Sequence, residues 1–320
     1  MNLQQQKKQK NMEHYCDCHH DHCHEEEGFS GNKYEQAFSK FNLHLHDEQI
    51  RATALRLVNE HKAEYDTEEV KKQLLGTLEL TTLKVTDSIE SVSKLVEKVN
   101  RFSEQHPELP HLASICVYPN FAGLVSEMLA VEGTEVACVC GGFPSSQTFL
   151  EVKTIETALA AADGATEIDM VMNVGAFLDG DYETCADEIR EIKDAAKDCT
   201  LKVILETGAL QTAANIKRAA ILAMFAGADY IKTSTGKITP AATLESALVM
   251  CQTIKEYFDL TGLKIGFKAA GGINTVDDAL SYYTIVREIL GKDYIKEDYF
   301  RIGTSRLANL LVKELTGEEF

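Results

Sequence analysis

From Lys71 onward, short apolar runs alternate with longer amphipathic stretches, and this regularity constrains the fold more than any other feature. Runs rich in Val, Ile, Thr and aromatic residues read as strands, and stretches with apolar residues three and four apart read as helices. Strands are expected at Leu74–Leu83, Leu112–Tyr118, Glu135–Cys140, Glu167–Asn173, Leu201–Glu206, the segment carrying Lys232, Leu263–Ala269 and Tyr299–Gly303. Helices are expected at Ser88–Gln105, Phe121–Val131, Thr148–Ala162, Tyr182–Lys197, Ala213–Ala226, Ala241–Phe258, Val276–Leu290 and from Ser305 to about Leu315. Eight strand–helix repeats over roughly 245 residues fit an α/β fold, the (β/α)8 TIM barrel. The competing architecture is a doubly wound open sheet. That fold carries a Gly-rich fingerprint after its first strand, and Leu80-Thr81-Thr82-Leu83 is no such loop.

Residues 1–33 are of a different kind. His14, Cys16, Cys18, His19, His20, His22, Cys23 and His24 crowd together, followed by Glu25 to Glu27. Such a tract can bind Zn²⁺ or Cu⁺, but its spacing matches no zinc finger and no apolar residues flank it. It reads as a disordered low-complexity tail. Residues 34–320 form the barrel domain. It includes an extra N-terminal helix with Ile50, Ala54, Leu57, Val58 and His61 at helical spacing and Asp47 as N-cap. The net charge of −18 argues against nucleic acid and anionic membranes as partners. No apolar run is long enough to span a bilayer, and no signal or transit character is present, so a soluble, cytoplasmic protein is expected. Nine scattered cysteines fit a reducing compartment.

The chemistry should lie at the C-terminal ends of the strands. Glu79, Asn120, Asp169, Asn173, Glu206, Lys232, Lys237 and Lys268 are the polar residues expected there. Lys232 in Tyr230-Ile231-Lys232-Thr233 and Lys268 in Gly266-Phe267-Lys268 sit among apolar neighbours on consecutive strands. Strands run about 5 Å apart, so two ammonium groups in register would repel, and one would titrate near neutrality. A neutral amine can attack a carbonyl and form a Schiff base. Asp169 lies within another apolar strand, where it can pair with a lysine and move protons through a water. Gly236-Lys237, Gly271-Gly272 and Gly303-Thr304-Ser305 follow the sixth, seventh and eighth strands, where barrels bind phosphate. All ten histidines lie at or before His111, so the later strands offer no imidazole cluster for a zinc-dependent aldolase.

Six stretches together resemble the deoxyribose-phosphate aldolase family of class I aldolases. They are Glu79-Leu80-Thr81-Thr82-Leu83, Ile115-Cys116-Val117-Tyr118-Pro119, Glu167-Ile168-Asp169, Lys202 to Gly208, Tyr230 to Lys237 and Gly266 to Gly272. The likeness runs in order over about residues 50–315. It implies reversible cleavage of 2-deoxy-D-ribose 5-phosphate to D-glyceraldehyde 3-phosphate and acetaldehyde, with no metal or organic cofactor. Lys232 would form the Schiff base, Lys268 would lower its pKa, and Asp169 would act with a water in proton transfer. Glu79 and Cys116 would lie at the substrate, and Gly236, Lys237, Gly271, Gly272, Gly303 and Ser305 would hold the phosphate. Three positions depart from the family pattern: Glu79 replaces an aspartate, Ala269 a proline, and Phe320 a terminal tyrosine found in some members. These departures are expected to tune rate and leave the reaction intact.

Two other readings remain open. One is a different phosphosugar Schiff-base aldolase or transaldolase with a dihydroxyacetone-type donor. The other is a non-catalytic metal-binding protein acting through its His/Cys tail. A phosphosugar substrate and a homo-oligomer are the expected partners.

Overall fold

The computed structural model describes residues 33–320, and its eight parallel strands close into a barrel in sequence order. The expected tail lies outside the described residues, apart from Lys33. Three helices precede the barrel: α1 (Lys33–Phe38), α2 (Asp47–Tyr65) and α3 (Glu68–Gly76). The barrel then runs β1 (Leu78–Thr81), α4 (Ile89–Gln105), β2 (Ser114–Val117), α5 (Ala122–Met128), β3 (Glu135–Cys140) and α6 (Leu150–Ala162). It continues through β4 (Glu167–Val171), α7 (Val174–Leu178), α8 (Tyr182–Ala195), β5 (Thr200–Ile204), α9 (Thr207–Leu210) and α10 (Ala213–Phe225). It closes with β6 (Tyr230–Lys232), α11 (Leu244–Thr261), β7 (Gly266–Ala270), α12 (Val276–Leu290), β8 (Phe300–Thr304) and α13 (Leu307–Thr316). Among the described residues no helix is long and apolar enough to cross a membrane.

Local chemistry explains where the boundaries depart from expectation. Leu74 and Leu75 are helical, not part of the first strand, because Thr67 caps α3 by accepting from Val70 N and Glu68 and Glu69 fill its first turn. The helix after β6 starts at Leu244, three residues later than expected, where Thr243 and Ser246 form a capping box. Asp47 caps a helix, but not its own: its Oδ1 accepts from Ala213 N at the start of α10, 2.7 Å away. That bond and the pairs Arg51–Glu245 (2.9 Å) and Lys62–Asp277 (2.6 Å) tie α2 to the outside of the barrel.

The strands carry two kinds of residue in strict alternation. Leu78, Leu80, Ile168, Met170, Leu201, Val203, Phe267, Phe300 and Ile302 are buried in the hydrophobic layer between barrel and helices. Between them, Glu79, Glu167, Asp169, Lys202, Lys268 and Arg301 are buried in a cluster of ion pairs that crosses from strand to strand. The interior beside β2 and β3 differs. There Cys116, Ala137 and Val139 form a small apolar wall with Leu83, Tyr118 and Phe143. The barrel is therefore charged on one side of its lumen and oily on the other.

A second buried ion pair lies outside the barrel. Lys153 on α6 is fully buried, and its Nζ donates to Glu188 Oε2 (2.7 Å) and Ser146 Oγ (2.9 Å). Glu188 Oε1 in turn accepts from Asn173 Nδ2, which ties the loops after β3 and β4 to α6 and α8. Removing one partner of such a pair strands the other charge. Lys153→Met should lower the unfolding free energy by about 3–5 kcal/mol in urea titrations, and Lys153→Met/Glu188→Gln should recover most of that loss.

Candidate active site

Strand register assembles the site. Lys232 lies directly across from Lys268, Lys268 from Arg301, and Asp169 from Lys202. Partners across parallel strands share a face, so all these side chains enter the lumen. Lys232 Nζ and Lys268 Nζ both donate to Oδ2 of Asp169, at 2.7 and 2.6 Å. Lys268 also donates to Glu79 Oε2. Lys202 Nζ meets Glu167 Oε2 at 2.5 Å, Asp169 Oδ1 at 3.2 Å and Glu79 Oε1 at 3.5 Å. Arg301 closes the ring, with Nη2 on Glu167 Oε1 (3.0 Å) and Nη1 on Glu79 Oε1 (3.4 Å).

Four basic groups thus face three carboxylates in a dry space, and the fields they exert follow from that count. Burial alone would raise the Glu79 carboxyl, yet Lys202, Lys268 and Arg301 outweigh it and hold it at about 2. Asp169 is held well below the ordinary carboxylate range by Lys202, Lys232 and Lys268, against the same penalty. Burial disfavours the ammonium of Lys268, but Asp169 and Glu79 more than offset it and keep Lys268 above the usual lysine range. Lys202 is raised by Asp169, Glu167 and Glu79 in the same way. Burial pushes the Cys116 thiol up to about 11, so it stays protonated beside the cluster. Glu79, Cys116 and Asp169 have ligand atoms within 4.8 Å of one another. Their negative charge is already met by the lysines and Arg301, and a neutral thiol is a poor metal ligand.

Of the residues expected at the phosphate, Gly236 and Gly271 come together at the mouth. Gly271 (φ 89°) lies against the Gly236 turn, and a Cβ on it would stand 2.7 Å from Ala241 Cβ and 3.0 Å from Gly236 Cα. Gly272 and Ser305 are exposed beside this turn and before α13. Gly303 has a second task. A Cβ there would come within 3.3 Å of Lys268 Cε and 3.1 Å of Ala270 Cβ, so its missing side chain gives the lysine stem room. Lys237 reaches across the mouth, its Nζ donating to Leu83 O, the carbonyl that also accepts from Tyr118 Oη at 3.3 Å.

Of the remaining expected polar residues, Asn120 is exposed and Asn173 serves the Lys153–Glu188 network. Glu206 braces the Lys237 loop. It adopts a left-handed backbone (φ 55°) and accepts from Thr235 N (3.2 Å) and Thr235 Oγ1 (2.5 Å). Phe320 packs edge-on against Phe102 of α4, with ring centroids 5.1 Å apart, and takes no part in the cluster. Lys202, Glu167 and Arg301 escaped the sequence reading as site residues. Each shows the signal that singled out Lys268: a charge alternating with apolar neighbours inside a strand.

Because Glu79 and Asp169 titrate lower folded than unfolded, their contribution to stability is present above the ordinary carboxyl value and lost as pH falls. For Glu79 the window runs from 4.5 down to about 2. Urea midpoints of the wild type should fall steeply across that window, and Glu79→Gln should flatten the fall while lowering the neutral-pH midpoint.

Comparison with known proteins finds aldolases. The DeoC/LacD family aldolase domain matches residues 74–292. The Homo sapiens deoxyribose-phosphate aldolase is 40% identical over 248 residues, covering 74% of this chain and 78% of the human one. The Bos taurus deoxyribose-phosphate aldolase is 39% identical over 240 residues, covering 72% and 76%. The solved structure of QR15, an aldolase, matches with a TM-score of 0.62 at 29% identity, over 77% of this chain and 99% of QR15. The tetrameric deoxyribose phosphate aldolase from Aeropyrum pernix shares the fold, with a TM-score of 0.63 at 24% identity over 82% and 99% of the two chains. With the family domain spanning most of the barrel and these relatives covered over most of their length, the chain belongs to the DeoC/LacD family of aldolases and is an enzyme of the lyase class.

Proposed function

We propose that this aldolase reversibly cleaves 2-deoxy-D-ribose 5-phosphate to D-glyceraldehyde 3-phosphate and acetaldehyde through a Schiff base on Lys232. The observation that carries the reading is the shared Oδ2 of Asp169, which sets Lys232 beside the charged Lys268 at the edge of the apolar wall. Four basic groups face three carboxylates, so the cluster is neutral when Lys232 is the free amine.

The amine adds to the C1 carbonyl of the open-chain sugar, and loss of water leaves an iminium. A base then removes the C3 hydroxyl proton, the C2–C3 bond breaks, and its electron pair flows into the iminium to give an enamine. Protonation at C2 and hydrolysis release acetaldehyde and restore Lys232. Asp169 Oδ1 is faced by Lys202 Nζ at 3.2 Å and accepts no well-aligned hydrogen bond from the described residues, so it is the oxygen that would meet a water carrying these protons. The two-carbon fragment lies against Cys116, Ala137 and Val139, and Glu79 faces the substrate hydroxyls. Lys237 leaves Leu83 O for the phosphate, which also meets backbone N–H groups around Gly236, Gly271, Gly272, Gly303 and Ser305.

The same reading places the enzyme in a reducing, cytoplasmic setting, with no nucleic-acid or membrane partner. Its supports are the unpaired, buried cysteines at 116, 138, 140, 185, 199 and 251 and the net charge of −18. We also take the enzyme to be a homo-oligomer; the support is an exposed apolar stripe on α6.

Borohydride reduction in the presence of acetaldehyde should leave a two-carbon adduct on Lys232, read by peptide mass mapping, and none on Lys232→Ala. An adduct with dihydroxyacetone and none with acetaldehyde would favour the transaldolase-type reading instead. Lys237→Ala removes a charge-assisted contact of about 1.5–3 kcal/mol, so KM should rise roughly 10- to 100-fold with kcat little changed. Glu79→Asp should change turnover without being needed for it; activity that appears only with aspartate would contradict the assignment of Glu79.

A further inference from the structure

The buried cluster contains one ion pair that the proposed chemistry does not use. Arg301 Nη2 donates to Glu167 Oε1 (3.0 Å), and Nη1 reaches Glu167 Oε2 and Glu79 Oε1, each at 3.4 Å. Nε is turned to Glu297 O, which also accepts from Tyr230 Oη at 2.6 Å. The guanidinium lies 5.9 Å from the Tyr230 ring centroid. Glu167 is the first residue of β4 and Arg301 the second of β8, so both start from the end of the barrel opposite the mouth. Asp169 is one inward-facing position nearer the mouth than Glu167. A buried pair of this kind adds little to stability by itself, because desolvation offsets most of the attraction.

Three lysines compete for the protons of this cluster. Lys202 meets Glu167, Asp169 and Glu79, and Lys268 meets Asp169 and Glu79. Lys232 meets Asp169 alone among the described residues, so its proton is the one held by fewest carboxylates. The other groups that bear on it are Lys268 of β7 and the protonated Cys116 thiol of β2, with Lys202, Glu79, Glu167, Arg301 and the neutral Tyr230 phenol around them. Glu167 anchors Lys202 at 2.5 Å, and its charge, left uncancelled, would also hold a proton on Lys232. Arg301 is the one basic member that cannot give up its own proton. Burial disfavours its charge, but Glu167 above all outweighs that penalty.

We propose that Arg301 is a positioning residue for Lys232: its fixed charge cancels that of Glu167, so that the carboxylate anchoring Lys202 does not keep the reacting amine protonated. Arg301 acts through the cluster and touches no substrate. The proposal rests on the Schiff-base reading above. β4 and β8 each lie two strands from β6, so the two charges act on Lys232 from comparable distances, on the order of 10 Å. With an effective dielectric constant of about 20, removing one such charge moves a titration by about one pH unit.

The test is the initial rate of cyanoborohydride trapping of acetaldehyde on Lys232 as a function of pH, since acetaldehyde itself does not titrate. Wild type is compared with Arg301→Met, Arg301→Lys, Glu167→Gln and Arg301→Met/Glu167→Gln, each checked by circular dichroism and melting. The half-point of the acid limb should rise by about one pH unit in Arg301→Met and fall by a similar amount in Glu167→Gln. It should stay with wild type in Arg301→Lys, which keeps the charge, and return to wild type in the double variant, which removes both. A purely structural brace would lower the rate in every variant and leave the half-point in place. The proposal is overturned by an unmoved half-point in either single neutral variant that folds, or by a double variant that keeps the shift of Arg301→Met. If Arg301→Met does not fold, Glu167→Gln decides alone, and an unmoved or raised half-point overturns the proposal. Adduct formation with unshifted half-points sinks this inference and leaves the Schiff-base reading standing; no adduct on wild type at any pH sinks both.

Discussion

Stripping water from a carboxylate costs several kcal/mol, and that cost is met only where fixed opposite charges replace the solvent. Asp169 sits in such a place, with Lys232 and Lys268 on one oxygen and Lys202 facing the other. Glu79, Glu167 and Arg301 extend the cluster until the three carboxylates are matched by Lys202, Lys268 and Arg301, with Lys232 left over as the fourth basic group. The barrel positions all of them, because they come from six strands, Glu167 and Asp169 sharing β4, and only closure brings those strands into one ring.

This arrangement divides the work of the fold. Stability comes mainly from the layer outside the strands, where Leu78, Ile168, Val203, Phe267 and Phe300 meet the helices. The lumen is released from that duty and can hold charge on one side and a small apolar wall on the other. A polar interior needs rigid walls, since an ion pair that loosens admits water and loses its effect on the reacting amine. Glu206 on the Lys237 loop and the Lys153–Glu188 pair behind the β3 and β4 loops supply that bracing at the mouth.

Much of the fold was legible because period-two and helical patterns report burial directly. The strand Glu135–Cys140 and the helix Val276–Leu290 match their sequence patterns to the residue for that reason. The first strand is shorter than its apolar run, because Leu74 and Leu75 are as apolar as a strand and only the Thr67 cap assigns them to a helix. Asp47 stands where a cap on its own helix is expected, and a sequence cannot say that Ala213 N lies closer. In the site, Lys232, Lys268 and Asp169 stood out as charges in apolar strands. Lys202 and Arg301 carry the same mark, but their shared partner Glu167 lies 35 and 134 positions away on another strand, a pairing that no local pattern displays.

The sequence by itself determined the order of strands and helices, the alternation that sends charges to one face of each strand, and the residue types able to do amine chemistry. These are local properties, set by side-chain period and by the cost of burying a charge. Only the tertiary structure decided which charges meet. Register across β4 to β8 put Lys232 opposite Lys268 and Asp169 opposite Lys202, and barrel closure brought Glu79 of β1 next to Lys268 of β7. A shift of one residue in any of those registers would turn the charge into the apolar layer while leaving every local pattern intact.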